Sequence, residues 1–396
     1  MTIHLFNGLV YGALLIVMCS GLALIYGLRR VVNFAHGSLY MLGVYVAYSV
    51  ATHVGGALGF WGGVVVAGLA VALIGLIAEL LILRRIYDAP ELLQLIATFA
   101  LVLIIKDAAL LIWGPEDLLG PRAPGFTGAI DILGKAFPTY DLLLIVLGVL
   151  MLFALTMLLK KTRFGLLLRA ATQDREMSDA LGVNQKLLFT AVFALGSFLA
   201  GIGGALQLPR EPANLAMDLT IIADVFVVVV VGGLGSLPGA FVAAIIISLV
   251  KAYCIGAGDV TLFGVEFAFS KLTLVAEFVV MALVLVFKPH GFFGKPITHA
   301  RTAAVIGPLL RPLGRGAWLA AALLGCVMGL LPLAAGDYAL VLAGDMMVFA
   351  LFAASLGLVI GPGGMGSFGH AAYFGLGAYG AALAVKAGLG FFAAMA

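Results

Sequence analysis

Charge is what this chain has least of. Asp, Glu, Lys and Arg make up only 10% of its 396 residues, against roughly 25% in an ordinary soluble domain. That is too little polar material to coat a particle in water, so a soluble globular protein is excluded. The charges nearly cancel, at a formal net +3, and no basic block is present, which removes nucleic acid as a partner. Cysteine is scarce as well. Cys19, Cys254 and Cys326 lie in apolar runs and read as small core hydrophobes, neither a disulfide framework nor a metal site. The six histidines lack metal-ligand spacing, and neither His36 nor His370 has a Ser or Cys nucleophile with an orienting acid nearby. No glycine-rich stretch ends in the Lys-Ser/Thr of a phosphate loop. An enzyme is therefore not expected, and nucleotide hydrolysis by this chain is not expected either.

What the chain has instead is apolar length. It is 63% hydrophobic, with a mean hydropathy of +1.19. The expected fold class is all-α, a polytopic transmembrane helical bundle. A spanning helix needs about 20 mostly apolar residues. On that ruler about nine spans fall near 5–27, 38–53, 57–83, 91–113, 141–159, 187–208, 218–231, 237–256 and 271–287. Further spans follow near 317–335, 338–360 and 372–391. The run 218–231 is short, and 38–53 is short enough to be one half of a broken helix. The first run, from Leu5, has neither a basic residue before it nor a small-residue cleavage site after it, so it reads as a retained span.

Lys and Arg in the short loops set the direction. With the N-terminus outside, the inner loops hold fifteen of them: Arg29, Arg30, Arg84, Arg85, six within 160–186, and Lys288, Lys295, Arg301, Arg311 and Arg315. The outer loops hold three, Arg122, Lys135 and Arg210. The loop 160–186 is thereby assigned to the cytoplasm.

One sentence is written twice. Residues 33–45 read NFAHGSLYMLGVY, and residues 367–379 read SFGHAAYFGLGAY. A slide of 334 brings Leu22, Leu24, Gly27, Phe34, His36, Leu42, Gly43, Tyr45 and Ala47 onto Leu356, Leu358, Gly361, Phe368, His370, Leu376, Gly377, Tyr379 and Ala381. A shared histidine and two shared aromatics at fixed spacing are hard to reach by composition alone. The expected organisation is two related membrane domains in tandem: a first over 1–287, a cytoplasmic linker over 288–316, and the beginning of a second over 317–396. The second domain is then about a quarter present, so a longer reading frame is expected downstream. A natural stop codon at 396 with no continuation counts against that reading.

Four groups of residues are candidates for mechanism. The opening of the repeat carries Asn33, His36, Gly43, His370 and Gly377, in a setting where irregular backbone lines a cavity or is buried in protein. His36, Gly43 and Ala47 share one helix face, and a histidine packed against a backbone carbonyl outweighs one that touches solute. The loop 160–186 is the largest basic loop between spans. Within it 170–181 is expected to form one short amphipathic helix with Asp174, Arg175, Glu176 and Asp179 exposed, ended by a left-handed Gly182. It suits docking into a partner's groove, although an ordinary solvated loop is the more common meaning of such composition. The stretch GGLGSLPG, with Gly232, Gly233, Gly235 and Gly239, breaks the chain tightly between two apolar runs. Last come the ionisable residues inside spans, Glu79, Lys106, Asp107, Asp224, Lys251, Glu266 and Glu277. Glu79 is within reach of Arg84 or Arg85. Adjacent Lys106 and Asp107 do not face each other on a helix and are expected to pair elsewhere. For each of these ionisable residues, a structural ion pair outweighs a carboxylate relay, and no cluster of intramembrane charges that would hold a strongly ionic substrate is expected.

With these pieces assembled, the chain resembles the membrane permease subunits of branched-chain amino acid ABC importers. NGLVYGALLIVMCSGLALIYGLRRVVNFAHGSLYMLGVYVAY at 7–48 is similar to the start of the first of that family's two permeases. AATQDREMSDALGVN at 170–184 is similar to its coupling segment, and VVGGLGSLPGAFVAA at 230–244 to its Gly-rich break. LGLVIGPGGMGSFGHAAYFGLGAYGAAL at 356–383 is similar to the start of the second permease. The resemblance implies a multi-pass protein of the inner membrane that moves hydrophobic amino acids inward without a cofactor of its own. Two cytoplasmic ATP-binding subunits would bind the ATP, a periplasmic solute-binding protein would deliver the cargo, and a second permease domain would complete the path in membrane lipid. It also implies a coupling role for Asp179, Ala180, Leu181 and Gly182. The chain departs from the family in joining two permeases through 288–316, and in ending before any second coupling segment. Urea or a short amide as cargo, or an ion-coupled secondary transporter, are the alternatives.

Overall fold

In a computed structural model, the chain is described over residues 2–29, 33–87, 89–132, 134–262, 265–294, 314–334, 336–361, 363, 367, 369–388 and 390. Most of the linker expected at 288–316, with Lys295, Arg301 and Arg311, lies outside the described residues, as do Arg30 and the side chain of Glu266. The chain divides into two compact units, Met1–Thr298 and His299–Ala396.

Apolar runs with almost no interior proline form helices wherever they reach membrane length. The first unit opens with α1 (Thr2–Arg29), α2 (Ala35–Val54) and α3 (Gly56–Ala78), the last continuing through a π-helical turn (Glu79–Leu83) into α4 (Arg84–Ile86). Then come α5 (Glu91–Trp113), α6 (Thr139–Lys161), the short α7 (Arg163–Gln173) and α8 (Arg175–Ala180), and α9 (Gln185–Gln207). The unit closes with α10 (Met217–Gly232), α11 (Leu237–Ala257) and α12 (Thr273–Phe287). Nine of these helices have 15 residues or more, among the described residues. Among the described residues, seven helices are long and apolar enough to cross a membrane, six of them in the first unit. The second unit holds α13 (Arg315–Ala334), α14 (Asp337–Ile360) and α15 (His370–Lys386).

Two features differ from expectation. The run read as half of a broken helix is the continuous 20-residue α2, starting at Ala35. Two short antiparallel hairpins also cap the end of the first unit away from the basic loops. One pairs β1 (Ala129–Ile132) with β2 (Lys135–Pro138), Ile130 opposite Phe137, and the other pairs β3 (Asp259–Leu262) with β4 (Val265–Ala268), Thr261 opposite Glu266. Strands of four residues are too short to show an alternating pattern in sequence.

Burial sorts the helices into an inner and an outer set. The apolar window of α1 is 89% buried and that of α6 only 17%, so α1 is central while α6 offers most of its surface to lipid. The centre is held by backbone contact, because lipid tails leave little hydrophobic gain for one helix against another. A Cβ on Gly43 of α2 would sit 2.3 Å from the Gly201 carbonyl of α9, and a Cβ on Gly204 of α9 would sit 2.1 Å from the Tyr40 carbonyl of α2. Aromatic residues anchor the hairpin end: Trp113 stacks on Tyr45 at 5.0 Å and donates from Nε1 to Ser49 Oγ at 2.7 Å.

Overpacking a core costs roughly 1–3 kcal/mol, and a carbonyl cannot swing aside as a side chain can. Gly43→Val is therefore expected to lower stability by about 3 kcal/mol, read as a fall in the thermal midpoint in detergent. Gly62→Ala, where a Cβ meets nothing within 4 Å, is expected to leave it unchanged.

Candidate functional site

The coupling segment is two helices, not one. Asp174 is extended, with φ −145° and ψ 103°, and breaks the expected helix over 170–181 into α7 and α8. Its carboxylate then caps the second piece, accepting from Met177 N at 2.9 Å. An aspartate followed by an acidic first turn is an N-cap signal, and it was present in the sequence. At the other end Gly182 has φ +83°. Gly182 N donates to Asp179 O at 2.9 Å and Val183 N to Ser178 O at 3.1 Å. Those two bonds make a Schellman stop. Asn184 then caps α9 by accepting from Leu187 N at 3.1 Å. Two rigid caps thus hold a tight corner between α8 and α9. On that corner Leu181 is 77% exposed and Met177 59%, four residues apart, with Asp174, Glu176 and Asp179 exposed beside them.

The corner is tied to the bundle through one buried acid. Glu79, fully buried in the π-helical turn, pairs with Arg84 at 3.4 Å and accepts from Tyr87 Oη at 3.1 Å. Thr190 of α9 donates to the same carboxylate at 2.9 Å. A cavity of about 660 Å³ lies between this network and the corner, walled by Glu79, Arg84, Glu176, Asp179 and Gly182 among others.

The repeated histidines meet matching positions in each unit, through different groups. His36 is fully buried, with Nε2 3.0 Å from the Met18 carbonyl of α1, and a Cβ on Gly21 would sit 2.9 Å from its ring. In the second unit the His370 ring lies 5.2 Å from Phe352 and its Nε2 is 2.7 Å from Ser355 Oγ. Shifted by 334, Phe352 and Ser355 are Met18 and Gly21. Each histidine therefore meets the same two positions of the preceding helix. Asn33 caps the turn into α2 by accepting from Ala35 N at 3.1 Å. His36 lines neither of the two cavities described here, and Gly43 is sealed against α9. Gly377 meets nothing within 4 Å among the described residues.

The Gly-rich break is a turn between touching helices. A Cβ on Gly239 would lie 1.9 Å from the Gly232 carbonyl, and Gly233 and Gly235 have φ of +101° and +82°. Ser236 caps α11, accepting from Gly239 N at 3.2 Å. Phe292 N and Phe293 N donate to the carbonyls of Val231 and Gly232 at 2.9 and 3.0 Å, so the segment after α12 docks on the end of α10.

The intramembrane charges are where sequence reasoning fell short. Structural ion pairs were expected but their partners were not: Lys251 Nζ of α11 lies 2.6 Å from Asp224 Oδ2 of α10 and 3.1 Å from Glu277 Oε1 of α12. Tyr11 of α1 also donates to Asp224. Both acids are fully buried. The residues lie on four helices, so no local spacing announces them; the only signal was that each was a costly charge in need of a partner. Lys106 pairs with Asp218 of α10 at 4.0 Å, while Asp107 is exposed. Tyr11 and Lys251 also form part of the wall of a second cavity, of about 430 Å³, at the hairpin end.

Seven helices of membrane length among the described residues, a bundle close-packed through glycine, buried polar groups tied into ion pairs and an apolar corner exposed beyond the helix ends define a multi-pass α-helical membrane protein. The family is set by comparison. Residues 4–287 match the family described as branched-chain amino acid transport system, permease component, and the chain belongs to it. The chain is 26% identical to the high-affinity branched-chain amino acid transport system permease protein BraD of Pseudomonas aeruginosa, over 74% of this chain and 95% of that one. It is 25% identical to the LivH permease protein of Escherichia coli K12 over the same shares. It is 29% identical to a probable LivH permease of Methanocaldococcus jannaschii, over 73% of this chain and 91% of that one. No solved structure matches the chain.

Removing one partner of a buried ion pair costs about 3–5 kcal/mol. Lys251→Met, which leaves Asp224 and Glu277 without their shared cation, is expected to cost at least that much, read as the thermal midpoint in detergent. Adding Asp224→Asn and Glu277→Gln is expected to restore most of the loss.

Proposed function

We propose that this permease component works in an ATP-driven importer of branched-chain amino acids, in the inner membrane. Two cytoplasmic ATP-binding subunits drive it, and a periplasmic binding protein feeds it. The chain hydrolyses no ATP itself. The observation that carries this reading is the exposed Met177 and Leu181 pair on the capped corner between α8 and α9, on the side that the basic loops assign to the cytoplasm. Two apolar side chains one helical turn apart, ringed by acids, suit a groove in a partner. The corner is rigid enough to pass a push into α9, and Thr190 carries it on to Glu79 and α3. Asp179, Ala180, Leu181 and Gly182 are the coupling residues in this reading.

The second unit is proposed to be the start of a second permease domain. The matched histidine contacts of α1–α2 and α14–α15 support this. The buried Asp224–Lys251–Glu277 cluster favours one rival, an ion-coupled transporter. Uptake driven by an ion gradient in vesicles free of ATPases separates that rival from the importer.

An exposed apolar anchor in an interface is worth about 2 kcal/mol or more when it is a hot spot, roughly thirtyfold in affinity. Leu181→Glu is accordingly expected to leave the protein membrane-inserted while transport-coupled ATP hydrolysis in proteoliposomes is lost. Unchanged coupled hydrolysis contradicts the coupling assignment. Purification from native membranes is expected to bring two ATPase subunits with the chain, and their absence contradicts the importer.

A further inference from the structure

The cavity at the hairpin end is lined by cations that are paired and by acidic and amide acceptors that are not, alongside the neutral polar side chains of His4, Asn7 and Tyr40. Its wall is built from the start of α1, Tyr40 of α2, the end of α9 with the turn after it, the start of α10, and the last turns of α11. Two cations line it, and both are already engaged. Arg210 Nε lies 3.3 Å from Asp141 Oδ1, and Lys251 is held between Asp224 and Glu277. The acceptors are not engaged in the same way. Gln207 is 2% exposed, and its Oε1 has no hydrogen-bond partner. The carboxylate of Glu211 is exposed and takes part in no ion pair among the described residues. Behind Lys251, Asp224 Oδ1 also lacks a hydrogen-bond partner, and two carboxylates share one ammonium.

A ligand entering this cavity finds the free acceptors of Gln207 and Glu211, no unpaired Lys or Arg, and the neutral polar groups of His4, Asn7 and Tyr40. It also finds an apolar wall in Met217, Ile221, Ala252 and Ile255. A buried acceptor left unpaired carries a standing cost that a donor relieves. At about 430 Å³ the cavity is of the usual size for a small-molecule site.

We infer that this cavity is a subsite for a primary ammonium group carried on a short aliphatic chain, the amino end of the permease's cargo, with Gln207 and Glu211 as its acceptors. The ammonium faces Gln207 Oε1 and the Glu211 carboxylate. The aliphatic part lies on Ile221 and Ile255. A carboxylate on the ligand points to the open mouth, where water solvates it. The inference rests on the reading of the cargo as an amino acid.

The test uses the full chain in nanodiscs, without partner subunits, and saturation-transfer NMR on three probes. Leucinol has the ammonium and no carboxylate, L-leucine has both, and 4-methylpentanoate has only the carboxylate. Leucinol and L-leucine are expected to bind saturably and 4-methylpentanoate is not. Glu211→Gln and Gln207→Leu are each expected to weaken leucinol about tenfold, the size of one charge-assisted hydrogen bond. Asp107→Asn, at an exposed acid that does not line the cavity, is expected to change nothing and reports on the fold. A measurement in sodium chloride against choline chloride separates the ammonium from an inorganic cation. Displacement of leucinol by sodium, with the same dependence on Glu211, overturns the assignment. So does equal binding of 4-methylpentanoate, absence of saturable leucinol binding, or indifference to both variants. ATPases that co-purify with a chain that binds no amine would sink this inference and leave the importer standing; the reverse result would sink the importer alone.

Discussion

The contact of α2 with α9 through bare backbone is the constraint on which the rest of the first unit depends. In lipid a helix gains little from burying one more leucine against a neighbour, so close approach, van der Waals packing and paired polar groups hold the bundle together. Gly43 against Gly201, and Gly204 against Tyr40, bring the two helices to backbone distance. Once they are there, His36 is trapped against the carbonyl of Met18, and α1, α3 and α10 close around the pair. A single methyl group at Gly43 has nowhere to go.

The same helix joins the two places where chemistry is concentrated. α9 begins one residue after the Schellman-capped corner and ends at Gln207 on the wall of the 430 Å³ cavity. At 1.5 Å per residue its 23 residues span about 34 Å, close to the thickness of a bilayer core. In the proposed reading, a displacement at the corner is passed toward the far cavity along this one helix. Near the corner, the hydrogen bond from Thr190 to Glu79 fastens that helix to a π-helical turn, an element often found at functional sites. The ion pairs of Lys251 and Arg210 stiffen the far end without spending the free acceptors of Gln207 and Glu211.

Much of this was legible in the sequence because membrane helices announce themselves by length. Nine helices of 15 residues or more in the first unit fall where apolar runs were expected, and six of them are long and apolar enough to span. The left-handed Gly182 was readable from a glycine after an amphipathic run. What failed was whatever depended on which faces meet. Tyr11, Asp224, Lys251 and Glu277 sit on four helices, and nothing local tells that they converge. Arg210 and Asp141 are 69 residues apart and pair only because the hairpin end folds over. The break at Asp174 was missed for a different reason. An amphipathic pattern continued across it, and the capping signal of the aspartate was outvoted by the periodicity.

The central claim is that the corner between α8 and α9 is where an ATP-binding subunit presses on this permease. Site-specific photo-crosslinking in native membranes tests it most directly, with the probe at Met177 and, as a comparison, at Val146, which α6 leaves exposed away from the corner. The account predicts a crosslink from position 177 to an ATP-binding subunit, strengthened or weakened by nucleotide, and none from position 146. Equal labelling from both positions, or no ATP-binding subunit captured from position 177, would contradict it.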